Sequence, residues 1–246
     1  MTRQLFDSVA AEYDATRPDY PAQLFDALES GMGQPLMWSE VCDVGAGTGI
    51  ATRALAGRGA NVTAVDPGIG VLAVLRSRST SRVRAVLGDG NALPLRDGVF
   101  DLVSYAQSFH WTDPSLSVAE ALRVLKPGGV LATWWNRHDL SVPWFADHQE
   151  RLHRATDKPE QRDESWVADM LAAPPWSKHV AVVEIPWRRR ISLEDFGRAL
   201  LTVSYVFALG DRAREVVDEE LAQLADLHPE GVMDEPFTTY AVMARR

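Results

Sequence analysis

Val41-Cys42-Asp43-Val44-Gly45-Ala46-Gly47-Thr48-Gly49 reads as a short apolar strand running into three glycines spaced two apart. The residues Ile50 to Ala56 that follow have helical spacing, and Gly57 and Gly59 stop them. A strand that ends in such a turn and restarts as a helix places a ligand at the carboxyl end of a sheet. Glycine suits the turn because a Cβ would block close approach of a ligand to the backbone, and because the turn needs unusual φ/ψ. The helix N-terminus adds N–H donors that have no partner within the helix. The dinucleotide fingerprint Gly-x-Gly-x-x-Gly would want glycine at position 50, which is Ile50.

Outward from this turn, strand-like and helix-like runs alternate. Asn61 to Val65 is β-branched and ends at Asp66; Val71 to Leu75 has helical spacing; Val83 to Leu87 is a third strand, ending at Gly88-Asp89. Phe100 to Tyr105 is a fourth strand, and Pro114 to Leu125 an amphipathic helix opened by Asp113-Pro114. Lys126-Pro127-Gly128-Gly129 breaks that helix before a fifth strand, Val130 to Trp135. The alternation predicts an α/β fold, doubly wound, with a mostly parallel sheet and helices on both faces. The second half reads differently: residues 142–173 mostly helical, a strand over 179–191, helices over 193–203 and 211–227, and a closing strand over 236–244. With no internal repeat and no clear linker, residues 1–246 are expected to form a single domain. Within it, residues 1–22 would be an N-terminal lid segment, and 140–175 and 192–230 helical cap insertions.

Composition narrows the classes. Hydrophobic residues make up 46% and charged residues 24% of the 246, ordinary values for a soluble globular protein. No run approaches the ~20 apolar residues of a transmembrane helix. The first residues carry Arg3 and Asp7 and lack the apolar core of a signal peptide. The one cysteine, Cys42, excludes an internal disulfide, and a cytoplasmic location is the default expectation. The net charge of −9, from 25 basic and 34 acidic side chains, opposes non-specific nucleic-acid binding. No histidine spacing suggests a metal site: His148 and His153 stand five apart, not four.

Two acids sharpen the glycine turn. Asp66 ends the second strand, where a carboxylate can accept two hydrogen bonds from a cis-diol bound over the first turn. Asp89 ends the third strand, followed by Gly90-Asn91-Ala92, and could accept a hydrogen bond from an exocyclic amine. Each has an ordinary reading, Asp66 as a helix cap and Asp89 as a turn residue. Three ligand-type features at the ends of three successive strands are harder to assign to chance.

With these segments in view, the chain resembles the class I methyltransferases that use S-adenosylmethionine (SAM), in a small-molecule group similar to the trans-aconitate methyltransferases. The matching pieces are Val41 to Gly49, Val65-Asp66-Pro67, Gly88 to Pro94, Phe100-Asp101-Leu102-Val103, Phe109-His110-Trp111 and Arg123 to Gly129. The likeness spans roughly Phe6 to Trp135 and loosens in the last third. It implies a seven-stranded sheet with an antiparallel last strand, a place that residues 236–244 fit.

It also implies roles. Gly45, Ala46 and Gly47 would line the methionine and ribose of SAM, and Asp66 would bind the ribose hydroxyls, with Pro67 flanking the adenine. Asp89, with Gly90, Asn91 and Ala92 beside it, would hold the adenine amine. Asp43 would order the glycine turn or reach the methionine amine, and Gln107 joins the cofactor set. Phe6, Ala10 and Tyr13 share one helical face, which would pack as a lid, with Tyr13 against the cofactor. Arg17 would fork onto the methionine carboxylate, unless it is a structural arginine.

His110 is the best-placed candidate base, and Trp111 and Trp135 would line the acceptor pocket with it; packing is the ordinary alternative for the tryptophans. Arg137 and Arg188-Arg189-Arg190 could meet an acidic substrate or form a solvated edge. The expected function is transfer of a methyl group from SAM to a small-molecule oxygen, a carboxylate or hydroxyl. The alternatives are C- or N-methylation in natural-product or quinone biosynthesis, and a SAM-binding interaction protein without turnover. A nicotinamide oxidoreductase fits less well, given Ile50 and the Asp89 turn. Neither a nucleic-acid nor a membrane partner is expected; acceptor identity and oligomeric state are not written in these motifs.

Overall fold

A computed structural model describes Asp14 and residues 16–156, 163–173 and 180–246. Seven strands form one sheet in the order β3-β2-β1-β4-β5-β7-β6. They are β1 Glu40–Val44, β2 Asn61–Asp66, β3 Val83–Leu87, β4 Phe100–Ala106, β5 Leu125–His138, β6 Val180–Ser192 and β7 Val232–Arg245. β1 to β5 pair in parallel, and β7 lies antiparallel between β5 and β6. The expected doubly wound sheet with an antiparallel last strand is therefore present. The strand order reverses at β1, so a crevice opens between the ends of β1 and β4.

The helices divide between the two faces as their apolar stripes require. α1 (Ala22–Met32) and α2 (Ile50–Gly57) bury Leu24, Leu28 and Leu55 on one face, with Val41, Leu102 and Trp134 of the sheet. α3 (Ile69–Arg78) packs beside them through Leu72 and Leu75. α4 (Pro114–Val124) covers the other face through Ala121 and Val124, its start capped by Asp113, whose side chain accepts from Ser115 N–H.

The long stretches read as helical in the second half part company. α5 (Pro143–Ala155), α7 (Leu193–Leu201), the single turn α8 (Ser204–Phe207) and α9 (Ala213–Leu227) share a separate apolar core with Ile191 and Met233, at the carboxyl ends of β5 and β6. α6 (Trp166–Ala172) does not join that core; its Val167 and Leu171 pack into the same sheet-face cluster as Ala121 and Val124 of α4. A buried cluster ties α5 to α9: Glu220 bonds His148 Nδ1 at 2.8 Å and Arg151 Nε at 2.9 Å. No helix among the described residues is long and apolar enough to cross a membrane.

Candidate active site

The glycine turn is held from below. Gly45 and Ala46 both donate backbone N–H to Val65 O, at 2.8 and 3.1 Å, so the turn is stitched to the end of β2. Asp43 is fully buried one step earlier, where it accepts from Thr52 Oγ1 at 2.6 Å and Ser104 Oγ at 2.9 Å. Burial pushes its carboxyl up to about 6, against the pull of those two hydroxyls. Asp43 thus joins β1, β4 and the first turn of α2 from inside. Neither Thr52 nor Ser104 carries a sequence signal: both are ordinary small polar residues until the fold faces them to Asp43.

All three glycines have positive φ, but for different neighbours. A Cβ on Gly45 would stand 2.4 Å from Ser108 Cβ, and one on Gly49 2.8 Å from Leu75. A Cβ on Gly47 would meet nothing within 4 Å. Gly45 and Gly49 are therefore required by packing, and Gly47 opens a bowl at the crevice.

The acids stand around this bowl. Asp66, half-buried at the end of β2, accepts from Gly47 N–H at 2.9 Å and from Gly68 N–H at 2.7 Å. Its carboxylate therefore touches the very residue that opens the bowl. Pro67 follows, exposed. On the next strand Asp89 is exposed and accepts from Asn91 N–H at 2.9 Å, while Ala92 N–H bonds the Asp89 carbonyl at 3.1 Å. Asn91 Oδ1 then accepts from Asp113 N–H at 2.8 Å, which anchors this turn to the start of α4. Gly90 is buried, its Cβ position 2.9 Å from Val44 Cγ1, so the turn lies tight against β1.

The fourth wall comes from the end of β4. Gln107 has φ +57, an uncommon state for a side-chain-bearing residue and one that concentrates at functional sites. Its N–H donates to Trp134 O at 2.8 Å, and the bend delivers Ser108 Oγ to Val44 O at 2.5 Å, under Gly45. His110 lies half-buried on the short 3-10 turn Phe109–Trp111, where Trp135 Nε1–H donates to its Nδ1 at 3.2 Å. Trp135 is itself buried, against Tyr240, whereas Trp111 is 69% exposed. Arg137 is engaged internally, over the Tyr240 ring at 4.2 Å and paired with Glu164 at 2.6 Å.

The N-terminal segment crosses the same edge. Asp14 is clasped by Arg53 at 2.9 Å and by Arg78, while Arg53 Nη1 also donates to Thr48 O at 2.7 Å. Burial pushes the Asp14 carboxyl up, but the Thr48 and Arg53 bonds and both guanidinium charges outweigh it and hold it below its ordinary value. Burial pushes the Tyr205 hydroxyl up, and the charge of Arg17 pulls against that rise. Tyr13 lies outside the described residues, as do Phe6 and Ala10.

These features fit a SAM-sized nucleoside: a side-chain-free bowl at Gly47, and carboxylates at the ends of β2 and β3 on one crevice. Residues 42–133 match a family model described as a methyltransferase domain. An uncharacterized methyltransferase of Mycobacterium tuberculosis is 32% identical over 224 residues, 91% of this chain and 86% of that protein. A demethylmenaquinone methyltransferase of Renibacterium salmoninarum is 29% identical over 228 residues, 84% of this chain and 91% of that one. A solved structure from Anaeromyxobacter dehalogenans, provisionally assigned as a type II methyltransferase, superposes with a TM-score of 0.70 at 26% identity, covering 93% of this chain and 97% of that one. Structures of the same fold hold SAM or S-adenosylhomocysteine. The glycine bowl, the sheet order and these relatives agree, and the chain belongs to the class I SAM-dependent methyltransferases.

Proposed function

We propose that this enzyme methylates an oxygen of a small molecule, a carboxylate before a hydroxyl, held beside His110. The carrying observation is the bond from Trp135 Nε1–H to His110 Nδ1. An indole nitrogen only donates, so Nδ1 accepts and the neutral ring carries its hydrogen on Nε2. His110 then offers an N–H to an acceptor oxygen instead of removing a proton from it. A carboxylate needs no base, and one of its oxygens can accept this bond while the other attacks. The narrower likeness to the trans-aconitate group belongs to this reading.

SAM supplies an electrophilic methyl on a sulfonium, whose departure as a thioether needs no proton. What remains for the chain is alignment and exclusion of water. Gly45, Ala46 and Gly47 would hold the methionine and ribose, Asp66 the ribose hydroxyls, and Asp89, Gly90, Asn91 and Ala92 the adenine, with Pro67 at its flank. Asp43 keeps the turn in place from beneath, and Gln107 closes the wall between turn and acceptor. Tyr13 and Arg17 would close over the methionine end, and Trp111 is exposed where it can cover the acceptor. Trp135 acts through His110. The demethylmenaquinone relative favours a second reading, transfer to a ring carbon.

The test uses methyl-labelled SAM with a panel of carboxylic acids, phenols and quinols. Oxygen transfer to carboxylate gives a product whose label is released as methanol by mild alkali. On such an acceptor the rate should be flat from about pH 6 to 9, and His110→Ala should lower it about tenfold or more, with His110→Gln partly restoring it. An alkali-stable product, or a rate that rises through the imidazole range, sinks the carboxylate reading.

A further inference from the structure

Three donors meet on the carboxylate of Asp14, whose side chain is only 2% exposed. They are the Thr48 hydroxyl of the glycine turn, Arg53 Nη2 of α2 at 2.9 and 3.1 Å from its two oxygens, and Arg78 at the end of α3. Arg53 has a second task, since its Nη1 donates to Thr48 O at 2.7 Å. One guanidinium therefore braces the glycine turn and grips the N-terminal segment. Methyl transfer as described above gives Asp14, Arg53 and Arg78 no part in holding the cofactor or the acceptor.

The same segment is tied down on the other side of the crevice. Asn136 Nδ2 donates to Asp19 O at 3.0 Å, and Arg189 Nη1 donates to Thr16 O at 2.6 Å. Both donors are themselves fixed. Asn136 Oδ1 accepts from Thr239 Oγ1 at 2.7 Å, and Thr239 Oγ1 accepts from Trp187 Nε1 at 2.9 Å. Glu235 accepts from Arg189 Nε at 2.8 Å. Thr48 follows β1 and Asn136 lies on β5, with β4 between those two strands in the sheet. The stretch from Asp14 to Asp19 thus runs from one side of the β1–β4 crevice to the other.

The way this stretch is held suits a part that must open. Among residues 16–19 only Thr16 is buried, and the ties named here are polar bonds toward the two ends. Each such bond has water as an alternative partner, so the stretch can let go and reseat without exposing a large apolar face. The clasp is also next to the cofactor's seat, because Thr48 directly follows the Gly47 that opens the bowl. A cover there keeps water from a sulfonium electrophile.

We propose that Asp14 is a positioning residue for the cofactor: its grip on Thr48, Arg53 and Arg78 fastens residues 16–19 across the crevice, and the bound nucleoside leaves only when this strap comes loose. The proposal stands on SAM binding alone and does not depend on which acceptor is methylated.

The test follows release of labelled S-adenosylhomocysteine from the full chain, chased with an excess of unlabelled ligand. Asp14→Asn keeps the shape and removes the charge that the two arginines grip, and should speed release about tenfold. Asn136→Ala frees the other end and should speed release about threefold, less because Arg189 still holds Thr16. The double variant should release at about the Asp14→Asn rate, since a strap already loose at one end has nothing left to lose at the other. Residues on opposite sides of the crevice that acted only on their own surroundings would give effects that multiply, to about thirtyfold. Multiplied effects in the double variant, or release from Asp14→Asn at the wild-type rate, overturn the strap. Should Asn136→Ala fail to fold, Asn136→Asp serves the same comparison, because it still accepts from Thr239 but donates nothing to Asp19.

Discussion

Two stretches of surface at the strand ends of the sheet are built from opposite materials. At the β1–β2 end the surface is backbone: three left-handed glycines, with N–H groups of Gly45, Ala46 and Gly47 spent on Val65 and Asp66. At the β6 end the surface is long charged side chains, Arg17, Arg188 and Arg198, drawn from distant parts of the chain. A backbone device is set by local geometry and tolerates little change. A guanidinium device is set by the tertiary fold and can lose a member without unfolding.

The sharpest way to break that contrast is within the glycine turn itself. Gly45→Ala meets two penalties, left-handed φ at about 1–2 kcal/mol and overlap with Ser108 at about 1–3 kcal/mol. A loss of about 3–4 kcal/mol in urea unfolding is expected. Gly47→Ala meets only the first, because its Cβ would point into open space. It should unfold only about 1–2 kcal/mol more easily, yet bind S-adenosylhomocysteine at least about tenfold more weakly, since the new methyl sits where the ligand belongs. Equal stability losses for the two, or full affinity in Gly47→Ala, would mean that the bowl is not the cofactor's seat.

A smaller effect sharpens the same region from beneath. Asp43 has its carboxyl raised by burial from the ordinary 3.8 to about 6. The folded chain therefore keeps this proton over a window in which the unfolded chain has lost it. A raised acid contributes most at low pH, and that contribution is lost as pH rises from about 4 through about 6. Asp43→Asn removes this cost while leaving a carbonyl and an amide to meet the hydroxyls of Thr52 and Ser104. Relative to wild type, the variant should gain about 2 kcal/mol between pH ~4.5 and ~7.5 in paired urea melts. Parallel stability curves would place the Asp43 carboxyl in water contact, and the turn would then not be dry beneath.

The same contrast explains which parts could be read in the sequence. The first three parallel strands were legible because each is a short apolar run closed by Gly or Asp, the next two from their apolar runs alone, and Asp66 and Asp89 because strand ends in this fold all face one crevice. The glycines were legible as a set, but their separate reasons were not: Gly45 answers to Ser108, which lies 63 positions further along the chain. The division of the second half was not legible either. α5 and α6 have similar apolar spacing, and only the fold sends Phe145 and Leu152 to the cap core and Val167 and Leu171 to the sheet. The Trp135–His110 bond was invisible because neither residue type announces its partner. The arginine run at 188–190 reads as a solvated edge, and only the pairing of β6 with β7 shows that Arg189 turns onto Glu235 while Arg190 stays open.

The smallest expected effect tests the other side of the contrast. Arg189 and Arg190 are neighbours of one residue type, yet strand alternation sends them to different surroundings. Arg189 holds the buried carboxylate of Glu235, which burial pushes up and the His138 and Arg189 partners pull below its ordinary value. Arg190 is 69% exposed and stands 4.0 Å from Asp234, itself half exposed. An ion pair that water can screen on every side contributes a few tenths of a kcal/mol at most. Arg190→Ala should therefore shift urea unfolding by no more than about 0.5 kcal/mol, and added salt should shrink what difference there is. A loss above about 1.5 kcal/mol would make Arg190 part of the structural frame, and the β6 end would then be as rigidly determined as the glycine turn.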